Sequence, residues 1–317
     1  MITQAPTYSS TDALNEVMTR VAAEQDLDRL TRLVPAACAT MKAVRDARPN
    51  EWTTEILPWI RSTESFVRFQ QDPFTNHSFR RPRGYAGDAT LLDQIYRPDT
   101  IALREVTETG RAIFRYTSVA SAPRAVANRR ALIARKVDCL ALQNGPPLRI
   151  ASLACGHLRE AELMGSVETR RVERYWAIDQ DPCSVAQVAE SFRGGPIEAL
   201  EGSVKDFVRG GLKQVDELDF FYAAGLFDYL DNKLSKRLVR RMFERLRPGG
   251  ILWVANFVPG VPDRAYMEAM MDWWLLYRSP EEMATLDEEI NPAEIACKRV
   301  FLEAEENIAF LELKRIG

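Results

Sequence analysis

From residue 148 onward the chain alternates short apolar runs with helix-patterned segments, and no other feature limits its architecture so strongly. The runs cover 148–154, 175–179, 197–200, 218–224 and 251–257, and helical spacing fills 160–167, 182–192, 204–210 and 232–246 between them. Short runs rich in β-branched and aromatic residues read as strands buried on both faces. The helices between them imply βαβ units in a parallel sheet. The rhythm breaks at the end, where 300–304 and 308–313 flank Glu305-Glu306-Asn307, the spacing of an antiparallel hairpin at a sheet edge. Arg247-Pro248-Gly249-Gly250 is expected to stop the last helix and start the fifth strand.

Before the break at Asn144-Gly145-Pro146-Pro147 the period is helical. Ser10-Thr11-Asp12 can cap a segment through Leu14, Val17, Met18, Val21 and Ala22. A second segment runs from Leu27 through Leu30, Leu33 and Val34 to Met41 and Val44, and Pro49-Asn50 ends it. A third spans 52–69, interrupted at Pro58. The pattern then collapses over 70–96 into a loop rich in Pro, Gly, Arg and aromatics, before a basic helical stretch at 123–142 with Arg124, Arg129, Arg130, Arg135 and Lys136. Two domains are expected: a helical substrate or lid domain at 1–144 and an α/β domain at 145–317.

Composition narrows the partners. Against 42 Lys+Arg stand 45 Asp+Glu, a net charge of −3, and the sequence pI is 5.7, which argues against a nucleic-acid binder. The basic stretch 124–136 is the one feature in favour, and a solvated helix face explains it equally well. No run approaches ~18 uncharged apolar residues, so no membrane span is expected. The start, MITQAPTYSSTDALNEV, has neither the cationic nor the apolar part of a signal peptide. Five scattered cysteines (Cys38, Cys139, Cys155, Cys183, Cys297) without a CxxC pair suit a reducing cytoplasm. The two histidines, His77 and His157, lack neighbours at ligand spacing, so no metal is expected.

In an open α/β sheet, ligands gather at the carboxyl ends of the strands. The first run ends in Ala154-Cys155-Gly156-His157, where small residues let a ligand approach and are expected to leave backbone amides free to donate. The second ends in Asp179 and Gln180, 23 positions after Gly156, a placement that suits a carboxylate on the two hydroxyls of a ribose. Helix capping is the plain alternative for Asp179, although Asp181 before Pro182 already fills that role. The third leads to Gly202-Ser203-Val204, where Ser203 and Val204 suit an adenine edge and face. The fourth ends in Ala223-Ala224-Gly225-Leu226-Phe227-Asp228-Tyr229, where a second substrate would meet the first.

This ordered set resembles the class I S-adenosylmethionine (SAM)-dependent methyltransferases over about 148–317. The acidic turn at Asp179, the Leu246-Arg247-Pro248-Gly249-Gly250 turn and the final hairpin carry the likeness. It implies a Rossmann-like seven-stranded, mostly parallel sheet with an antiparallel last strand, and SAM as cofactor. The first turn departs from the pattern. Ser152 stands where an acidic residue is common, and Ala154 and Leu158 stand where glycines are common. The resemblance assigns Ala154, Cys155, Gly156, Asp179, Gln180, Ser203, Val204, Ala224, Gly225 and Arg115 to the cofactor. Tyr116 or Arg124 are alternatives to Arg115 for the cofactor's carboxylate. A nicotinamide oxidoreductase is disfavoured by the missing G-x-G-x-x-G and by the hairpin.

Arg83-Gly84-Tyr85-Ala86-Gly87-Asp88 is similar to a loop of a bacterial subgroup that includes methionine S-methyltransferases and 3-hydroxy fatty acid methyl ester synthases. As residues, the loop reads either as a tight turn with Asp88 capping 89–96, or as a lid. In the lid reading Tyr85 and Asp88 face the reacting group, and Arg80, Arg81 or Arg83 binds a carboxylate. A thioether or carboxylate nucleophile needs no base, and His77 is the lone imidazole candidate, with loop-pinning as its plainer role. Tyr85, Asp88, Asp228 and Tyr229 are the catalytic candidates; Arg83, Phe227, Asn256, Trp273 and Tyr277 are the substrate-binding ones. The Met- and Trp-rich run at 267–277 reads equally as core or subunit interface. The expected function is SAM-dependent methylation of a small carboxylate-bearing metabolite, methionine narrowly ahead of a 3-hydroxy fatty acid, with a homodimer as the candidate assembly. A non-catalytic SAM-binding regulator is the competing class.

Overall fold

The computed structural model describes residues 10–100, 105–143 and 145–317, so the opening residues 1–9 and Asn144 of the expected boundary lie outside the described residues. The chain forms two compact units. One takes residues up to Arg124 together with Gly260–Trp274, and the other takes Ala125–Pro259 with Leu275–Gly317.

The second unit is built on seven strands: β1 (Leu148–Leu153), β2 (Val172–Asp179), β3 (Ile197–Glu201), β4 (Leu218–Ala223), β5 (Leu246–Phe257), β6 (Ile295–Leu302) and β7 (Ile308–Arg315). They form one sheet in the order β3-β2-β1-β4-β5-β7-β6. Strands β1 to β5 pair in parallel, while β7 runs antiparallel to both β5 and β6. The α/β architecture and the terminal hairpin are those expected from the sequence. Strand order reverses between β1 and β4, where open sheets of this kind form their ligand crevice. Every residue of β4 is buried, as a central parallel strand requires. Leu238, Val239, Met242 and Phe243 of the helix Asn232–Glu244 pack with Phe221, Leu252 and Val254 of the sheet.

Element edges differ from expectation for local reasons. Strand β5 begins at Leu246 and runs through the Pro-Gly-Gly turn, because Gly250 lies so close to β4 that a Cβ there would stand 2.4 Å from the Leu218 carbonyl oxygen. Strand β6 begins at Ile295; its exposed Cys297, Lys298 and Arg299 hide the strand pattern at the sheet edge. The β6–β7 turn is held by the buried Glu303 carboxylate, which accepts the N–H groups of Glu305, Asn307 and Ile308. The helix Ser121–Gln143 carries the basic stretch. Its Arg130 donates to Glu162 and to the Arg159 carbonyl, and Lys136 to Glu312 on β7, so these charges meet partners inside the unit.

In the helical unit, Asp26, Thr63, Asp72, Asp88 and Thr107 each cap a helix by accepting a backbone N–H. Within the loop expected over 70–96 lie two helices, Pro73–Arg80, which was not expected, and Ala89–Tyr96, which follows the reading of Asp88 as a cap. Pro73 follows its cap at the first helical position, where its missing N–H costs nothing, so it starts a helix. Pro58 does not interrupt 52–69 either. The π-turn Trp52–Ile56 leads into Leu57–Arg61 with Pro58 in its first turn, and the break falls at Ser62 and Thr63. Gly260–Trp274 joins this unit through the buried Glu268, which takes Arg45 Nε at 2.6 Å, Trp52 Nε1 at 2.7 Å and Arg264 Nε at 2.7 Å. Met267, Met270, Met271 and Trp273 are buried, so that part of the Met/Trp run is core. No helix among the described residues is long and apolar enough to cross a membrane.

Candidate functional site

The turn after β1 folds back sharply. Ala154, Gly156 and Leu158 all take left-handed backbone angles, with φ of 56°, 55° and 51°. Two non-glycine residues thus hold a conformation that costs them roughly 1 kcal/mol or more each. Three of the turn's amides are already engaged, contrary to the expectation from its small residues. Cys155 N–H bonds Ile178 O, Gly156 N–H bonds Asp179 and Leu158 N–H bonds Cys155 O. What the turn offers a ligand is close backbone approach rather than a nest of donors.

Asp179 ends β2 beside this turn. One carboxylate oxygen accepts Gly156 N–H at 2.8 Å and the other accepts Asp181 N–H at 2.9 Å, which fixes the group's orientation and leaves lone pairs on both oxygens. Burial raises this carboxyl above its ordinary range, while the bonds from Asp181 and Gly156 oppose the rise. Asp181 caps the next helix through Cys183 N–H, so Asp179 is not the cap. Gln180 beside it is exposed. After β3, Ser203 caps the helix Val204–Val208 in a reciprocal box with Asp206, which occupies its hydroxyl.

The loop after β4 gathers the remaining charges. Ala224 and Gly225 are partly open, and Phe227 is wholly buried in the core. Asp228 is buried and accepts Phe257 N–H at 2.7 Å through one oxygen. Burial pushes its carboxyl up to about 7, against the pull of Arg129, the Phe257 bond and Arg278. Tyr229 next to it is exposed. Arg278 commits every N–H of its guanidinium: Nε to Asn232 Oδ1, the terminal nitrogens to Phe227 O, Leu230 O, Asn256 Oδ1 and Ser235 Oγ. Asn256 is buried and also donates to Leu276 O, so it ties the end of β5 to the segment that carries Leu276 and Arg278. Tyr277 is half-buried on the same segment.

Two buried side chains here went unremarked as site residues in the sequence. Arg129 is 4 % exposed and makes no hydrogen bond or ion pair among the described residues; its Nε is fully enclosed and unpartnered. It lies against Gly225, where a Cβ would stand 3.4 Å from both terminal nitrogens. Glu160, in the short 3₁₀ segment Arg159–Leu163 after the β1 turn, takes the Tyr222 hydroxyl at 2.5 Å. Burial raises its carboxyl, with the Tyr222 bond and the charge of Arg129 among the opposing influences. A signal for Arg129 existed: it shares the face of its helix with the buried Ala125, Val126, Ile133 and Val137, a place where a charge is out of pattern.

The other candidates lie in the helical unit. Asp88 is fully buried; its carboxylate takes Leu91 N–H at 2.8 Å and His77 Nε2 at 2.8 and 2.9 Å. It caps a helix and pins the 81–88 loop, and His77 serves that pinning. Arg83 and Tyr85 are half-buried in the loop, Arg115 is exposed on the helix Glu108–Thr117, and Trp273 is buried with its N–H on Met267 O. No group of three or more His, Cys, Asp or Glu side chains among the described residues is placed to hold a metal ion.

No protein-family model matches the chain, and no curated protein does. Solved structures do. A protein of Bordetella parapertussis described as a possible exported protein aligns over 99% of this chain and 100% of its own, at 14% identity and a TM-score of 0.54. A Thermobifida fusca YX protein provisionally assigned as a methyltransferase aligns over 72% of this chain and 94% of its own, at 17% identity and a TM-score of 0.51. At these identities the likeness is one of fold, a Rossmann-like α/β fold with a mostly parallel seven-stranded sheet.

Proposed function

We propose that the protein is a SAM-dependent methyltransferase acting on a small carboxylate-bearing metabolite in the cytoplasm. The observation that carries the reading is Asp179. It is a buried carboxylate held at the end of β2 by two backbone N–H groups, beside a turn whose left-handed residues bare the end of β1 at the reversal of strand order. The residues fit a nucleoside. Asp179 keeps lone pairs for two ribose hydroxyls, and Val204 after β3 and the small Ala224 and Gly225 after β4 follow the carboxyl ends of other strands of the same sheet. A turn with three of its amides already engaged suits a ligand without phosphates. SAM, when bound, supplies a methyl group on a sulfonium that a nucleophile displaces directly.

The chain's own part is then to orient and to exclude water. Asp228, held by Phe257 and flanked by the charges of Arg129 and Arg278, and Tyr229 beside it are assigned to the reacting groups. Tyr85 and Arg83 are assigned to the substrate, within a loop whose shape Asp88 and His77 fix. The retained turn geometry, despite the missing glycines, favours a working cofactor site over a vestigial one. Methionine-like S-methylation is preferred because a thioether needs no base. A second reading, carboxyl methylation of a 3-hydroxy fatty acid, is favoured by Tyr229 and Leu276. They are 43% and 48% exposed, and Leu276 N–H bonds the Asp228 main-chain carbonyl at 2.8 Å, so two exposed apolar side chains come from neighbouring stretches of backbone and suit an acyl tail. The test is S-adenosylhomocysteine release from SAM with L-methionine and, separately, with 3-hydroxy fatty acids. Turnover with methionine is expected. Turnover only with the acyl acids selects the second reading, and silence with both despite SAM binding overturns both substrates.

A further inference from the structure

We propose that the helical unit carries a docking surface for an anionic lipid membrane, built from the arginines around Asp272 with the rings of Phe79 and Trp274 as its apolar part.

The helix Pro73–Arg80 ends in Phe79 and Arg80, and Arg81 closes it in the left-handed conformation, with φ of 50°. Arg81 donates to the Asp272 carbonyl at 2.7 Å and to its carboxylate. Asp272 is itself left-handed, with φ of 48°, and its carboxylate also accepts Arg61 at 2.8 Å and the Trp274 indole N–H at 2.8 Å. The Arg61 guanidinium lies 5.4 Å from the centre of the Phe79 ring, and Phe79 meets Phe66 edge to face at 5.3 Å. One run of contacts thus joins three aromatic rings to two arginines, and two strained residues hold it in place. Arg80 is exposed at the helix end, and Arg83 follows two positions after Arg81. Within 57–83 and 264–274 the carboxylates that are not buried are Glu64 and Asp272, so these arginines carry an excess of positive charge.

The chemistry of the partner follows from this mixture. Guanidinium groups in excess match phosphate oxygens, and they repel a second copy that presents the same surface. Trp274 is 40% exposed with its N–H already bonded, so an amphipathic ring stands half in water, the kind that settles at a bilayer interface. Val67, next to Phe66, is 67% exposed. An aliphatic side chain gains from entering acyl chains and nothing from stacking on a nucleobase, which makes the anionic partner a lipid surface rather than a nucleic acid. A surface that lies on a bilayer in this way needs no spanning helix.

The test is co-sedimentation of the full chain with vesicles of phosphatidylcholine, alone or with about one third phosphatidylglycerol. Binding is expected to the anionic vesicles only, and to fall steeply with added salt. Arg80→Glu is expected to weaken it about 10-fold or more, because the exposed side chain changes from attracted to repelled. Arg193→Glu, the same charge change at an exposed site in the other unit, is expected to stay within about twofold of wild type. Trp274→Ala is expected to weaken binding, whereas Trp274→Phe keeps it and removes most of the blue shift that vesicles induce in tryptophan emission. Absence of binding to the anionic vesicles overturns the proposal, as does equal weakening by Arg80→Glu and Arg193→Glu. So does a single-stranded oligonucleotide or poly-glutamate bound as tightly as the anionic vesicles.

Discussion

Asp179 is where a single residue decides most. Its carboxylate already bridges Gly156 and Asp181, so a merely structural clasp between the ends of β1 and β2 is the alternative to a ligand site. The two separate experimentally. Asp179→Ala should weaken SAM binding by about 1–3 kcal/mol, the range for a lost charged hydrogen-bond partner. Unchanged affinity by calorimetry removes it from the nucleoside site. The sequence made Asp179 legible because an acid at the end of a strand, at a fixed distance from a small-residue turn, is a local pattern. Arg129 was legible only as a charge out of pattern on an apolar helix face, and Glu160 not at all, being an ordinary charged residue in its own segment. Only folding brings them into one field, with no partner for the first.

At the scale of elements, Arg278 ties three of them together. Its five donors meet acceptors on the loop after β4, at the start of the helix Asn232–Glu244 and at the end of β5. Lysine offers three donors from one point, so at least two buried acceptors would go unmet in Arg278→Lys. The unfolding free energy should fall by about 2–5 kcal/mol, read by urea denaturation; a loss below the error of the method rejects the keystone role. The strands themselves were visible in the sequence because buried parallel strands are continuous apolar runs, and only their ends moved, at Gly250 and at the polar edge strand β6. The helix after Asp72 was missed, and the one after Asp88 stood only as one of two readings of its loop. Their first turns are crowded with Pro, Gly and Arg, residues that punctuate loops as readily as they open helices.

For the whole molecule, two buried carboxyls set a common dependence on pH. Burial raises Asp72 in the helical unit from 3.8 to about 6, against bonds from Thr75, Thr117 and Phe74, and raises Asp228 in the α/β unit to about 7. Each folded pKa lies above its unfolded one. The folded state therefore keeps a proton that the unfolded chain releases, and stability falls as pH rises through the interval, then levels off. For Asp72 the window runs from about 4 to about 6 and is worth about 3 kcal/mol. Asp72→Asn should flatten that part of the profile in denaturation midpoints taken at pH 4.5 and 6.5; an unchanged slope rejects the assignment. The helical unit has another property that bears on how the chain is made. Arg45 and Trp52 leave the ribosome early, but the Glu268 that joins them lies 223 residues after Arg45. At about 5–20 residues per second, that partner follows roughly 10–45 s later. The N-terminal helices therefore spend most of the chain's synthesis with their closing piece still untranslated. Nascent-chain protection, rather than thermodynamic stability, should govern the yield of this unit in a cell.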